Sequence, residues 1–351
     1  MTHLWLRAEQ RDNETRVGLT PVGAKAMLEA GFSVTVEASD SRVIPTDAYR
    51  AVGCDIARFA SWPDAPDDAI IFGLKELPED GSPLRHRHIM FGHAYKGQAL
   101  GKILLERFKA GGGQLFDLEY LLDDNGRRVA AFGYWAGFAG AAVSLMDWIA
   151  VQSGNICAPV ANYPNKDALI ADLNGRLSAM GKRRPSAIVI GAKGRVGTGA
   201  ADLLEGLGSE VTKWDMAETA SGGPFPEILA HDIFVNSILA REGTPVFVPA
   251  SAKDADRRLS VIGDVACDPD SAFNPIPIYD RATSWEAPVV RVHDSPVLDV
   301  MAIDNLPSML PLESSEDYAA QLLPTLLTLG DLNGPVWTRA LAEFDHHSSA
   351  L

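Results

Sequence analysis

The sequence predicts an α/β protein with parallel sheets, and three observations support this prediction. Strand-like and helix-like segments alternate along most of the chain, which is typical of βα units. One of these alternations contains a glycine-rich turn of the kind that binds dinucleotides. The length of 351 residues is enough for about two domains of ordinary size.

The glycine-rich turn lies between two strand-like runs. An apolar run over residues 186–190 leads into the turn at 191–197, a helix-like segment follows, and the run 210–214 ends on Asp215. Glycines allow the backbone to approach a pyrophosphate, and Asp215 can accept hydrogen bonds from the adenosine ribose hydroxyls. Ala192 replaces a glycine of the usual G-x-G-x-x-G spacing. A cofactor site is therefore favoured, and a purely structural Rossmann turn is the alternative.

The composition excludes several classes of partner. Lys and Arg number 31 against 46 Asp and Glu, so the formal charge is −15. Such an acidic surface argues against nucleic acid and anionic membranes as partners.

The three cysteines are scattered without metal-ligand spacing, and the N-terminus lacks a signal-peptide pattern. We expect a cytoplasmic protein without a metal, and we expect the apolar segment 134–151 to be a core helix.

Charged residues follow the strand-like runs of the first third of the chain: Arg7, Glu37, Lys75, His93 and Glu119. Ligands of open α/β sheets bind beyond the carboxyl ends of the strands. Lys75, His93 and Glu119 are therefore expected to converge on one cleft, together with Arg16 from the loop after the first strand. The alternative is that these charges stand at strand ends because loops are solvated.

Several motifs resemble those of one known family, and they span nearly the whole chain in order. They are Leu-Arg-Ala-Glu at 6–9 with Arg16, Gly-Leu-Lys-Glu at 73–76, His-Ala-Tyr-Lys at 93–96 with Gln98, Gly-Arg-Arg-Val-Ala-Ala-Phe-Gly at 126–133, Gly-Arg at 194–195, Lys-Trp-Asp at 213–215, Gly-Gly-Pro-Phe at 222–225, Asn-Pro-Ile-Pro-Ile-Tyr at 274–279, and Ile-Asp at 303–304 with Leu-Pro-Ser at 306–308. With these motifs the sequence resembles the NAD-dependent, lysine-forming saccharopine dehydrogenases.

The resemblance implies a domain organisation and a set of site residues. Two Rossmann-like domains would enclose an active-site cleft, with residues 1–131 and 317–351 in the substrate-binding, catalytic domain and residues 132–316 in the NAD-binding domain. Lys75 and His93 would form the acid–base pair, and Glu119 would tune the charge around them. The substrate would contact Arg16, Lys75, Gln98 and Phe132. The residues implied in NAD binding are Arg128, Gly194, Arg195, Asp215, Thr219, Val265, Ile303, Asp304, Asn305 and Leu306.

The reaction that this family carries out suits these residue types. Saccharopine is a secondary amine with three carboxylates, and its oxidation with NAD followed by imine hydrolysis gives lysine and 2-oxoglutarate. A base must take the proton of the amine, and neighbouring cations would lower the pKa of Lys75 towards neutrality. Arg16 has the forked donor geometry that carboxylates require. Asp215 favours NAD because it would repel the 2′-phosphate of NADP.

Two alternatives of different kinds remain from the sequence. One is an alanine-dehydrogenase-like enzyme, which shares the fold, the cofactor and a Lys/His pair but releases ammonia. The other is a non-catalytic NAD-binding module. We expect small-molecule substrates and a monomer in either enzymatic case.

Overall fold

The computed structural model describes residues 1–11, 14–96, 99–181 and 183–351, so the predicted substrate contact Gln98 lies outside the described residues. The chain forms two compact units. The first comprises Met1–Ala131 and Pro311–Leu351, and the second comprises Phe132–Leu310.

The first unit contains a six-stranded sheet in the order β3-β2-β1-β4-β5-β6, and every neighbouring pair in it is parallel. Its elements before residue 131 are β1 (His3–Leu6), α1 (Pro21–Glu29), β2 (Ser33–Glu37), α2 (Thr46–Ala51), β3 (Asp55–Ala57), β4 (Ile70–Phe72), β5 (Arg87–Met90), α3 (Ala99–Gly111) and β6 (Gln114–Asp117). The side chain of Thr20 caps α1, since it accepts a hydrogen bond from Gly23 N at the start of the helix. The parallel order brings the carboxyl ends of β4, β5 and β6 to one edge as neighbours.

The second unit contains a six-stranded sheet in the order β11-β12-β10-β9-β7-β8. Its elements are α4 (Gly133–Gln152), α5 (Lys166–Met180), β7 (Ser186–Ile190), α6 (Arg195–Gly206), β8 (Glu210–Trp214), α7 (Met216–Thr219), α8 (Pro226–Leu229), β9 (Ile233–Asn236), β10 (Val261–Asp264), β11 (Val289–Asp294) and β12 (Val297–Met301). The strand–turn–helix–strand unit predicted from the glycine pattern is β7, α6 and β8. It lies beside the inner strands β9 and β10.

The second sheet is parallel, as predicted, except at one edge. Strand β11 pairs with β12 in the antiparallel direction, with a register irregularity between Arg291 and His293. Only residues 295 and 296 join the two strands, and a connection that short can join antiparallel strands only. Strand β11 is not predicted from the sequence, because its charged residues interrupt the apolar run by which a buried strand is recognised.

Helix α4 is a core helix of the second unit. Within the described residues it is the one helix long and apolar enough to cross a membrane, and its residues 137–148 are all buried inside the unit. A Cβ at Gly137 would lie 1.8 Å from Val196 O, and one at Gly199 would lie 2.0 Å from Tyr134 O. The glycines therefore let α4 pack directly against α6, within one unit.

The last two helices, α9 (Pro311–Leu326) and α10 (Pro335–Ser349), belong to the first unit. Trp337 of α10 is fully buried, and its ring lies 5.5 Å from that of Phe116 on β6. The predicted boundary at residue 317 falls inside α9, and residues 311–316 belong with the first unit. A continuous helix that buries Tyr318 and Leu322 in one core is not divided between two units.

Candidate active site

Three of the predicted site residues follow neighbouring strands of the first unit. Lys75 comes after β4, His93 after β5 and Glu119 after β6. His93 has a φ of +48°, which is in the left-handed region that a non-glycine residue rarely adopts. Strain of this kind is concentrated at functional sites, where the surrounding structure holds it in place.

The side chain of Lys75 is partly buried, and burial is the main reason that its pKa lies below the usual value. Arg16 lowers the pKa further, whereas the carboxylates of Glu14 and Glu76 oppose the shift. The direction is the one that the sequence predicted. The main cause differs, because burial contributes more than the neighbouring cations. A lysine with a lowered pKa is a candidate general base.

Arg16 is almost fully buried and is engaged by Glu14, a partner that the sequence analysis did not name. Its Nε donates to Glu14 Oε1 at 2.9 Å, and its Nη2 donates to Oε2 at 2.6 Å. Burial alone would raise the pKa of Glu14, but the hydrogen bonds and charge of Arg16 hold it below the usual value. Glu14 therefore stays anionic and fixes the guanidinium in one orientation.

Glu76 connects His93 to the rest of the site. Its Oε1 lies 3.6 Å from His93 Nε2, and its Oε2 lies 3.3 Å from Arg11 Nη1. Glu76 follows Lys75 directly in the sequence, and this adjacency is the signal that could identify it as a site residue. The same residues border a cavity of about 620 Å³. Its apolar lining includes Leu77, Pro78, Leu100, Ile103 and Leu104.

Glu119 lies between two cations of the first unit. Lys96 Nζ is 3.2 Å from its Oε2, and Arg128 Nη2 donates to its Oε1 at 3.1 Å. Burial opposes ionisation, yet the charges of Arg128 and Lys96 keep the pKa of Glu119 below its usual value. Arg128, which was predicted to contact NAD, is thus placed in the first unit beside Glu119.

Asp117, at the end of β6, links two of the site loops and was missed by the sequence analysis. Its Oδ2 accepts a hydrogen bond from Gly92 N at 3.1 Å, and its Oδ1 accepts one from Glu119 N at 2.9 Å. Burial raises the pKa of this carboxyl to about 6. A single buried carboxylate therefore fixes the backbone next to both His93 and Glu119.

In the second unit the glycine turn has the geometry that a dinucleotide requires. Gly191 has a φ of +89°, and a Cβ at Gly197 would lie 2.2 Å from Gly191 O. Only glycine fits these two positions. Gly194 is the N-cap of α6, and Arg195 is the first residue of that helix. The free N–H groups of a helix N-terminus favour a phosphate.

Asp215 lies beside this turn. Its Oδ2 accepts a hydrogen bond from Lys193 N at 3.0 Å, and its Oδ1 accepts one from Met216 N at 2.8 Å. The second contact caps the short helix α7, at whose end Thr219 donates through Oγ1 to Asp215 O. A carboxylate held against the turn, at the end of β8, fits the ribose of a bound dinucleotide.

The other predicted cofactor residues of the second unit come after β10 and β12. Val265 and Leu306 both lie against Gly140 of α4. A Cβ at Gly140 would be 2.6 Å from Val265 Cγ2 and 3.1 Å from Leu306 Cδ1. Ile303 is buried, whereas Asp304 is exposed. Phe132 is the N-cap of α4 in this unit. The residues present in the second unit fit a dinucleotide. No group of metal-binding side chains occurs among the residues that the structure describes.

The comparisons with known proteins agree with this class of fold. The sequence profile of the alanine dehydrogenase/PNT N-terminal domain matches residues 5–139. A solved L-alanine dehydrogenase has a TM-score of 0.69 at 19% identity, with 97% of this chain and 94% of that chain covered. A transhydrogenase from Sinorhizobium meliloti has a TM-score of 0.64 at 17% identity, with 96% and 97% covered. The fold and the glycine turn therefore define an α/β protein with two Rossmann-like units, one of which fits a dinucleotide.

Curated relatives specify the family within this class. A saccharopine dehydrogenase [NAD(+), L-lysine-forming] from Candida glabrata is 46% identical over 99% of this chain and 97% of its own length. The enzymes of the same name from Neurospora crassa and Schizosaccharomyces pombe are 46% and 44% identical, with 100% and 96% of this chain covered and 97% and 96% of their own lengths. The chain belongs to the saccharopine dehydrogenase [NAD(+), L-lysine-forming] family.

Proposed function

We propose that the chain is an NAD-dependent oxidoreductase that cleaves saccharopine reversibly to L-lysine and 2-oxoglutarate. The relatives named saccharopine dehydrogenase [NAD(+), L-lysine-forming] match nearly the whole length of the chain. The observation that carries the chemistry is the position of Lys75, His93 and Glu119 after three neighbouring strands. The relatives' name also supports a role in lysine biosynthesis.

Lys75 is the group that takes the proton of the substrate's secondary amine. Burial and Arg16 lower its pKa, so its Nζ is neutral at a lower pH than that of an exposed lysine. NAD, when bound, supplies the acceptor for the hydride that leaves the carbon bearing the amine. His93 transfers protons during hydrolysis of the imine, and its Nε2 lies 3.6 Å from Glu76 Oε1. Glu119 offsets the positive charge of Lys96 and Arg128, with which it forms ion pairs.

The proposed substrate contacts of the first unit combine charges and apolar surfaces, and Phe132 is a proposed contact from the second unit. Arg16 would bind a substrate carboxylate, and Gln98 and Phe132 are further proposed contacts. The cavity that His93 and Glu76 border has an apolar wall suited to the aliphatic chain of lysine. An enzyme that uses ammonia has no aliphatic amine to accommodate, so this wall favours saccharopine over the alanine-dehydrogenase-like alternative.

The NAD contacts are proposed for the residues that the sequence indicated. In the second unit these are Gly194, Arg195, Asp215, Thr219, Val265 and the segment Ile303, Asp304, Asn305 and Leu306, and in the first unit Arg128. The enzyme is expected to be cytoplasmic, in keeping with its three free cysteines. It is also expected to be a monomer. Light scattering during gel filtration would measure its mass in solution.

One assay separates the proposed function from both alternatives. NADH oxidation would be followed with 2-oxoglutarate plus L-lysine, and in parallel with pyruvate plus ammonia. We expect turnover only with the first pair. Turnover with the second pair alone would indicate the alanine-dehydrogenase-like enzyme, and NADH binding without turnover of either pair would indicate a binding module.

Cofactor choice is expected to depend on Asp215. Its carboxylate repels the 2′-phosphate of NADP, and residues 216–218 supply no arginine to receive that phosphate. The variant Asp215→Ala should lose much of its preference for NAD over NADP, measured as the ratio of the two kcat/KM values. Asp202→Ala, a change on the exposed part of α6, serves as the control. An unchanged ratio in Asp215→Ala would refute the assignment.

Arg16 is expected to affect both substrate binding and the pKa of Lys75. Arg16→Lys keeps the charge but loses the planar guanidinium that Glu14 holds in one orientation, so KM for 2-oxoglutarate and saccharopine should rise roughly 10- to 100-fold, the range of a charge-assisted hydrogen bond. When kcat/KM for saccharopine is plotted against pH, it should fall on the acidic side as Lys75 becomes protonated. Arg16→Ala should shift this acidic limb to higher pH, since Arg16 lowers the pKa of Lys75. Arg42→Lys, another buried arginine of this unit, is the control. Unchanged KM values in Arg16→Ala would exclude a substrate contact.

A further inference from the structure

Two buried charged residues after β1, Arg7 and Glu9, are not explained by any of the roles described so far. Strand β1 lies next to β4 in the sheet, and Arg7 N donates to Phe72 O at 2.9 Å just beyond the paired residues. The side chain of Arg7 is fully buried, and that of Glu9 is 8% exposed. The two side chains lie against the segment that leads from β4 to Lys75.

Glu9 binds two consecutive backbone N–H groups of that segment. Its Oε1 accepts a hydrogen bond from Leu74 N at 2.6 Å, and its Oε2 accepts one from Lys75 N at 3.0 Å. Hydrogen bonds to an ionised carboxylate are about twice as strong as neutral ones. The carboxylate therefore fixes the peptide plane from which the catalytic side chain projects.

Arg7 binds the other side of the same residue. Its Nη2 donates to Lys75 O, and its Nη1 donates to Glu9 Oε2 at 3.2 Å. A Cβ at Gly73 would lie 2.3 Å from Arg7 Nε, so the guanidinium lies directly on the backbone there. Both backbone polar groups of Lys75 are thus bound by the Arg7–Glu9 pair.

The neighbouring backbone bonds do not replace this pair. Gly73 N donates to Ile89 O, and Leu74 O accepts from Phe91 N. Neither of these two hydrogen bonds involves the backbone of Lys75. A buried ion pair is weak evidence for stability, because apolar residues of the same volume are often as stable. A defined orientation of the backbone at Lys75 is a better account of these two buried charges.

We propose that Arg7 and Glu9 are positioning residues of the active site, which hold the backbone of Lys75 so that its Nζ stays at the position where it accepts the substrate's proton. This inference rests on the role proposed above for Lys75. A displacement of about 1 Å in a catalytic group can slow a reaction roughly 100-fold. The pair therefore contributes to turnover without touching the substrate or NAD.

The test is the variant Glu9→Gln, in which the side chain keeps its size but can no longer accept both N–H groups as a carboxylate. The kcat/KM for saccharopine would be measured against pH. We expect a fall of roughly 10- to 100-fold. We also expect the acidic limb to move to higher pH, because a less well-held Lys75 becomes more exposed and its pKa returns towards the usual value, whereas loss of the Glu9 charge alone would move the limb to lower pH. The affinity for NADH should not change.

A matched control exists in the second unit. Asp232 is also a buried carboxylate that binds an arginine, Arg183, at 2.6 Å and a backbone N–H, that of Ser186, at 2.8 Å. Asp232→Asn should lower the melting temperature without moving the acidic limb. If Glu9→Gln lowers the melting temperature and leaves the limb where it is in the wild type, the pair is structural only and the inference is wrong.

Two further variants keep the outcome interpretable. Should Glu9→Gln fail to fold, Arg7→Lys preserves the charge opposite Glu9 but loses the fork to Lys75 O, and the same shift of the acidic limb is expected. Lys75→Met tests the role on which the inference rests. If Lys75→Met keeps the wild-type limb, the proposed function of Lys75 fails. If Lys75→Met loses the wild-type acidic limb while Glu9→Gln and Arg7→Lys keep it, the role of Lys75 stands and the positioning role of Arg7 and Glu9 fails.

Discussion

Replacing Lys75 by Met or His93 by Gln should slow saccharopine oxidation by roughly 10²- to 10⁴-fold, the usual contribution of a general acid–base group. Lys75→Met should also abolish the acidic limb of the pH profile, because that limb reports the protonation of the base. The affinity for NADH, measured by fluorescence titration, should stay the same, since neither residue belongs to the glycine turn of the second unit. The double variant should lose less than the product of the two single effects.

The control for this experiment is Lys102→Met. Lys102 is an exposed lysine of α3 in the same unit, and its Nζ lies 3.8 Å from Glu106 Oε1 one turn away. We expect wild-type turnover and an unchanged pH profile from it. Near-wild-type turnover in Lys75→Met or in His93→Gln would remove the residue concerned from the mechanism.

Replacing Asp147 by Asn should stabilise the second unit at neutral pH by up to about 4 kcal/mol. Asp147 is fully buried on α4, and burial together with the negative charge of Asp299 raises its pKa to about 8. Its Oδ1 accepts a hydrogen bond from Cys157 N at 3.1 Å, whereas its Oδ2 has no partner among the described residues. An amide keeps the first contact and carries no charge that burial would destabilise.

The sign of the pH dependence follows from the raised pKa. The unfolded chain ionises this carboxyl near pH 4, whereas the folded chain retains the proton up to about pH 8. Its contribution to stability is therefore complete below pH 4 and is lost as the pH rises to about 8. Chemical denaturation of wild type and Asp147→Asn should show a difference in the free energy of unfolding that grows with pH over this window.

An exposed aspartate provides the control for this series. Asp67 has a side chain that is 88% exposed, and Asp67→Asn should follow the wild-type stability at every pH. A difference between wild type and Asp147→Asn that stays constant from pH 5 to pH 8 would contradict the assignment of the raised pKa to this residue.

The position of the candidate site could be predicted because it depends on topology. Alternating strands and helices imply a parallel sheet, and the carboxyl ends of its strands lie on one edge. Lys75, His93 and Glu119 could be grouped on that basis alone. The residue Asp215 could be predicted in the same way, since it ends the strand after the glycine turn.

The partners of these residues could not be predicted from the sequence. Glu14 lies two residues from Arg16, but the direction in which its side chain turns depends on the fold. Asp117 binds Gly92 N and Glu119 N because β5 and β6 are neighbours in space. Side-chain direction and the ends of short strands are set by tertiary packing, for which local periodicity carries little signal.

The return of the last two helices to the first unit has a consequence for synthesis on the ribosome. Residues 132–310 form one uninterrupted segment, so their compact unit is complete while translation continues. Residues 1–131 leave the ribosome earlier but lack Trp337 and Phe344, which cover Phe116 and Phe108. Those aromatic rings stay uncovered until residues 335–349 have been made, so the first unit cannot complete its core while residues 132–310 are being synthesised.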